Sequence, residues 1–229
     1  MKQPTRPASD AFESGQPLPA RLIVGLSKIS LAMKSQAWSR APAEGVTPTQ
    51  AQILVLLQGR AEGARLSIIA ETLGITAPTA SDAVASLVAK KLVVRGRDKD
   101  DARAARFRLS RSGQRAAARA GAWPDFLQKA VGTLDTAEQT AFLRTLTKMI
   151  RALQEAGDIP VQRMCVDCRF FRPHSHPDPQ RPHHCAFVNA PFGEDHIRID
   201  CADQDAAATE QRNHQWARWL AGATDHQPI

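Results

Sequence analysis

The 229-residue sequence contains no run approaching the roughly 18 consecutive apolar residues that a membrane span needs. Its opening stretch, MKQPTRPASDAFESGQPLP, also lacks the apolar core of a secretory signal. Both absences lead to the expectation of a cytoplasmic protein with no membrane partner. Missing as well are the patterns behind common enzyme classes, since no Ser/His/Asp order, phosphate-cradling glycine loop or paired-carboxylate motif stands out. The chain is therefore expected not to be an enzyme. Cysteine is scarce, four in all, and every one lies between Cys165 and Cys201. In a reducing compartment such crowding suits metal ligation better than disulfide pairing.

Positive charge is plentiful and unevenly placed. The formal net charge is +7 and the pI about 9.7, which suits a polyanionic partner without choosing between nucleic acid and anionic lipid. Residues 90–119 carry eleven Lys/Arg against Asp98, Asp100 and Asp101, whereas residues 158–229 carry seven basic against ten acidic residues. The polyanion is expected to dock on the first of these segments.

Hydrophobic periodicity divides the rest. Residues 1–19 hold four prolines and few large apolar groups, and read as a flexible arm. Residues 20–157 are expected to form a mainly α domain with a small β wing. Its first helix, from Ala20 to about Ala41, carries Leu22, Ile23, Leu26, Ile29, Leu31 and Met33 at mixed three- and four-residue steps, as a helix covered on more than one side would. Thr47 and Pro48 open a second helix that Gly59 closes. A third, from Leu66 to Leu73, stops at Gly74, and a fourth starts at the cap Thr76 with Val84, Leu87 and Val88 facing inward. Two short helices joined by a glycine turn make a helix-turn-helix. Leu92–Arg95 and Phe107–Leu109 then read as strands of a basic hairpin. Two long helices are expected to follow, from Ser112 to about Leu134 and from Thr136 to about Ala156.

The strings Thr47-Pro-Thr-Gln-Ala-Gln-Ile-Leu, Leu66-Ser-Ile-Ile-Ala-Glu-Thr-Leu-Gly, Asp101-Ala-Arg103 and Leu109-Ser-Arg-Ser-Gly113 stand in the order in which the MarR family places its second helix, positioning helix, wing tip and wing exit. Over residues 20–157 the chain resembles that family. The resemblance implies a winged-helix transcriptional regulator that binds double-stranded DNA as a homodimer on a pseudo-palindromic operator, and a small aromatic effector. It departs from the family at Lys91, where glycine is usual.

The residues themselves support DNA contact. Thr76, Thr79 and Ser81 lie in the first turns of the fourth helix, within reach of phosphates or bases. Asp82 either accepts from a cytosine amino group or stays solvated. In the wing, Arg103 is expected to enter a narrow minor groove and Asp101 to hold it by a bidentate pair. Lys99 and Arg106, with Arg95 and Arg97 on the wing's arms, are the expected phosphate-facing cations.

Residues 158–229 need a separate account. The spacing Cys165-x2-Cys168, sixteen residues, Cys185, fifteen residues, Cys201 allows a tight knuckle and two cysteines from separate loops. Four thiolates close a zinc site or hold an iron–sulfur cluster equally well. His174, His176, His183, His184 and His196 leave a mixed Cys/His zinc site open, and a metal-free thiol switch remains a third reading. The prolines and histidines between Pro173 and His196 suggest a lobe without regular structure, organised by its metal with Phe170, Phe171, Phe187 and Phe192 around it. A last helix, Ala207 to Leu220, has an apolar edge with Trp216 and Trp219 that must be covered.

Overall fold

The computed structural model describes residues 16–98 and 104–222. The described residues divide into two compact units, one ending at Pro48 and the other beginning at Thr49, and residues 1–15 of the expected flexible arm lie outside them. In the first, helix α1 (Leu18–Arg40) has a proline in its first turn, where the missing N–H has no helical partner to lose. It leads into one 3-10 turn, Ala41–Glu44, closed by the left-handed Gly45. Helix α1 has no buried residue, and Leu22, Ile23, Leu31 and Trp38 are each more than half exposed. Among the described residues of this unit nothing supplies the covering that its sequence asks for.

The second unit runs α2 (Pro48–Gln58), β1 (Ala64–Arg65), α3 (Leu66–Leu73), α4 (Ala77–Ala89), β2 (Val93–Arg97), β3 (Ala105–Leu109), α5 (Arg111–Gly121), α6 (Asp125–Val131) and α7 (Thr136–Ala156). Ile53, Leu54 and Leu57 of α2, Ile69 of α3, Val84 and Leu87 of α4 and Val93 of β2 are buried, each contributing roughly 1.5–3 kcal/mol. Gly74 ends α3 at φ +61°, a conformation that glycine adopts without strain, and its N–H donates to the carbonyls of Ala70 and Glu71. Thr76 then caps α4 by accepting from the Thr79 N–H.

Strands β1, β3 and β2 form one antiparallel sheet in that order, with Ala64 opposite Phe107 and Val93 opposite Leu109. The two-residue β1 is too short to show an alternation and was not anticipated. The single helix expected from Ser112 to Leu134 is instead two, broken between Gly121 and Asp125. Pro124 explains the break, because it lacks an N–H and disfavours helical backbone at Trp123 before it.

The C-terminal segment is more regular than expected. Strands β4 (Phe171–Arg172), β5 (His183–Cys185) and β6 (Ala190–Phe192) form a second antiparallel sheet, and α8 (Thr209–Ala221) follows. The expected metal-organised lobe also has an apolar core of its own. Met164, Val166, Cys168, Phe171, Ile197 and Trp219 are buried together, with Leu143 and Ile150 of α7 packed against them. Packing is thus continuous across the expected boundary at residue 158. Of the four phenylalanines, Phe171 belongs to this core and Phe192 packs on it, whereas Phe187 is half exposed beside Phe170. Among the described residues no helix is long and apolar enough to cross a membrane.

Candidate nucleic-acid interface and cysteine cluster

At the reading head, the α4 N-terminus presents Thr76, Thr79 and Ser81 to solvent, with Asp82 exposed beside them. Thr76 and Thr79 share a hydroxyl–hydroxyl hydrogen bond of 2.8 Å. Behind this surface, Gln50 of α2 donates to the Ser86 hydroxyl at 3.0 Å and accepts from Lys90 Nζ at 2.8 Å. These bonds pin the helix from its inner side. Its far end turns at Lys91, the departure from the family pattern, which adopts φ +58° despite its Cβ.

The wing exit explains the Leu-Ser-x-x-Gly string physically. Ser110 caps α5 by accepting from the Gly113 N–H, while its hydroxyl donates to the Lys91 carbonyl at 2.7 Å. A Cβ on Gly113 would collide with the Leu92 carbonyl. Only glycine lets α5 approach the chain leaving α4 this closely.

The wing is braced by an acid that sequence reasoning passed over. Asp98, 4% exposed, accepts from Arg65 Nε and Nη2 at 2.9 and 2.7 Å and from Arg106 Nε at 2.7 Å. Arg106 also donates to the Gly63 carbonyl at 3.3 Å. Arg106, expected as a phosphate contact, is thus turned into the base of the wing. The available signal was an Asp directly after one basic strand with Arg106 in the next, but only the pairing of β1 with β3 brings Arg65 to it. Arg95 and Arg97 are exposed on β2, and Arg108 on β3. Lys99, Asp101 and Arg103 lie outside the described residues.

None of the four cysteines is in a disulfide; Cys168 is buried and the other three are partly so. Cys165 and Cys168 flank a 3-10 turn in which the Cys168 N–H donates to the Cys165 carbonyl at 3.0 Å. Arg198 ties two of the thiols together: its backbone N–H donates to Cys165 Sγ at 3.3 Å and its guanidinium to Cys201 Sγ at 3.6 Å. The Cys165 N–H returns a bond to the Arg198 carbonyl at 2.9 Å. Cys185 pairs with Phe171 across the β4–β5 ladder, three residues beyond Cys168. Burial pushes the Cys165 thiol up to about 11; the Arg198 N–H opposes this, and nearby Cys201, Cys168 and Cys185 add to it. Among the described residues, however, no three His, Cys, Asp or Glu side chains are set closely enough to hold a metal ion as they stand.

Four of the five histidines in this segment have other side-chain partners. His183 is fully buried, and because its Nδ1 accepts from the His174 N–H, its Nε2 carries the proton donated to Glu194 at 2.7 Å. Glu194 also accepts from Arg144 of α7 and from the Trp219 indole, which fastens the lobe to α7. His176 faces His184 at 3.1 Å, and His196 pairs with Asp195.

A glycine-turn helix pair followed by a braced two-stranded arm defines a winged helix-turn-helix. Residues 44–104 match the model of the MarR family. Among solved structures, MepR of S. aureus in its DNA-binding conformation is 28% identical with a TM-score of 0.52, covering 58% of this chain and 98% of its own. A MepR mutant from a multidrug-resistant S. aureus clinical isolate is likewise 28% identical, with a TM-score of 0.50 and coverage of 61% and 99%. No curated protein matches the sequence.

Proposed function

We propose that the chain is a sequence-specific, DNA-binding transcriptional regulator that acts as a homodimer on a pseudo-palindromic operator. The observation that carries this reading is the joint exposure of Thr76, Thr79 and Ser81 on α4 and of Arg95 and Arg97 on the wing. Short hydroxyl side chains suit base and phosphate contacts at a helix N-terminus, and the arginines supply the sequence-independent attraction. The exposed apolar side of α1 supports the dimer, since so many large apolar groups on one helix call for a covering surface. Occupancy of the operator is modulated by the cysteine-bearing lobe, which rests on α7, or by a small aromatic ligand of the kind the family resemblance implies.

The test is selection of binding sites from a random DNA pool with purified full-length protein, followed by titration of the enriched site at several salt concentrations. An enriched inverted repeat bound with a steep salt dependence is expected. Arg95→Ala and Arg97→Ala should each flatten the slope of log affinity against log salt by about 0.9, and Arg103→Ala should weaken specific binding by about 1–3 kcal/mol. Failure to enrich any sequence would sink the reading.

A further inference from the structure

We propose that Cys165, Cys168, Cys185 and Cys201 together ligate one thiophilic metal centre per chain, and that loading of this centre sets the pose of α7 through Asp167 and Arg151. The first half stands on the lobe alone. The second rests on the regulator reading above and names the signal that its lobe conveys.

The donor set is entirely sulfur. Cys165 and Cys168 form the knuckle, Arg198 links the sulfurs of Cys165 and Cys201, and the β4–β5 ladder brings Cys185 alongside. Four of the five nearby histidines are engaged with Glu194, Asp195 and one another, and the enclosed ring of His174 packs edge-on against His183. Four thiolates suit zinc, at sulfur distances of about 2.3 Å, or an iron–sulfur cluster. On loading, the S–H protons leave to solvent as metal–sulfur bonds form. As they stand no three of these side chains are close enough to hold a metal ion, so ligation must draw the cysteine-bearing segments together.

The knuckle cannot move by itself. Between its cysteines, Val166 is fully buried in the core that includes Leu143 and Ile150 of α7. Asp167, 5% exposed, accepts from Arg151 Nη1 at 3.2 Å and Gln154 Nε2 at 3.5 Å, both on α7. Arg151 is itself held over the Trp216 ring of α8 at 4.4 Å. A shift at the sulfurs is therefore delivered to one face of α7. Another face carries Phe142, Met149 and Leu153, each 40% exposed and spaced seven and four residues apart, as a dimer-forming stripe would be.

Cobalt(II) titration of the full-length, chelator-treated protein tests the centre. Saturation at one cobalt per chain, with intense thiolate-to-metal charge transfer and tetrahedral ligand-field bands, is expected. Cys185→Ser and Cys201→Ser should each weaken binding at least about tenfold while far-ultraviolet circular dichroism confirms folding. Absence of the charge-transfer band in the folded wild type overturns the centre. Metal and sulfide analysis of anaerobically purified protein separates the two sources: zinc without sulfide, or iron with sulfide and a brown colour.

Operator affinity with and without metal then tests the coupling. A change of about 5- to 150-fold is expected on chelation, and Asp167→Asn should keep the cobalt spectrum while shrinking that change. Equal affinities in the two states overturn the coupling. A chain that takes up cobalt yet binds no DNA refutes the regulator and leaves the centre standing; operator binding without cobalt uptake does the reverse.

Discussion

Replacing Asp98 with asparagine would leave the guanidiniums of Arg65 and Arg106 facing a neutral amide at the wing base. Both arginines retain some solvent, with side chains 36% and 24% exposed, so the loss is smaller than for a fully enclosed pair. We expect Asp98→Asn to cost about 1–3 kcal/mol in chemical denaturation, the range for a buried hydrogen-bonding group losing its partners. A change within about 0.5 kcal/mol, the usual range for surface substitutions, would show that the wing base tolerates loss of the charge. At this scale the sequence was only partly legible. Thr76 as the α4 cap and Gly74 as the α3 stop follow from their own backbone chemistry, and the structure has them in those roles. Asp98 was overlooked because strand pairing, not spacing, brings Arg65 and Arg106 to its carboxylate.

Among the elements, α4 carries a local strain at Lys91, whose left-handed backbone would suit glycine better. The residue is held there from both sides. Its N–H donates to the Val88 carbonyl at 2.9 Å, and its own carbonyl accepts from Ser110 and Ser112 at 2.7 and 3.0 Å. Lys91→Gly should therefore raise thermal and chemical stability by about 1 kcal/mol, because the geometry persists and the Cβ conflict disappears. A destabilised variant would mean that the lysine side chain contributes more than its backbone costs. The helices around the reading head were readable because capping and apolar periodicity act within a few residues. The break between α5 and α6 was missed although Pro124 stands in the sequence, since apolar positions on either side continue the same period.

For the whole molecule, the lobe's attachment to α7 makes its stability depend on pH. His174 has both ring nitrogens enclosed; burial, followed by the neighbouring His183, holds its pKa below the usual 6.5. A base with a depressed folded-state pKa favours the folded state fully above 6.5, and this stability is lost as pH falls below it. Burial alone would raise the Glu194 carboxyl, but hydrogen bonds from His183 and Arg144 outweigh it and hold the pKa below the usual 4.5. Its contribution is present above pH 4.5 and is lost as pH falls through the folded value. Tryptophan fluorescence melts should thus show a first loss of stability below pH 6.5 and a further loss below pH 4.5. His174→Asn, which removes the titration and tolerates the left-handed backbone at φ +49°, should flatten the first step alone. An unchanged upper step in that variant would assign it to another group.

The sequence by itself determined the helix-turn-helix, the basic arm and the grouping of the cysteines into one segment. Periodicity, capping residues and charge density are local properties that need no partner across the fold. Tertiary structure decided what local signals cannot encode. It turned Arg106 inward to Asp98, fastened Glu194 to three elements through His183, Arg144 and Trp219, and placed the Cys165–Cys168 knuckle against α7. Each of these pairs residues distant in sequence, and their selection follows from enclosing charge and apolar surface together, which only the packed chain can do.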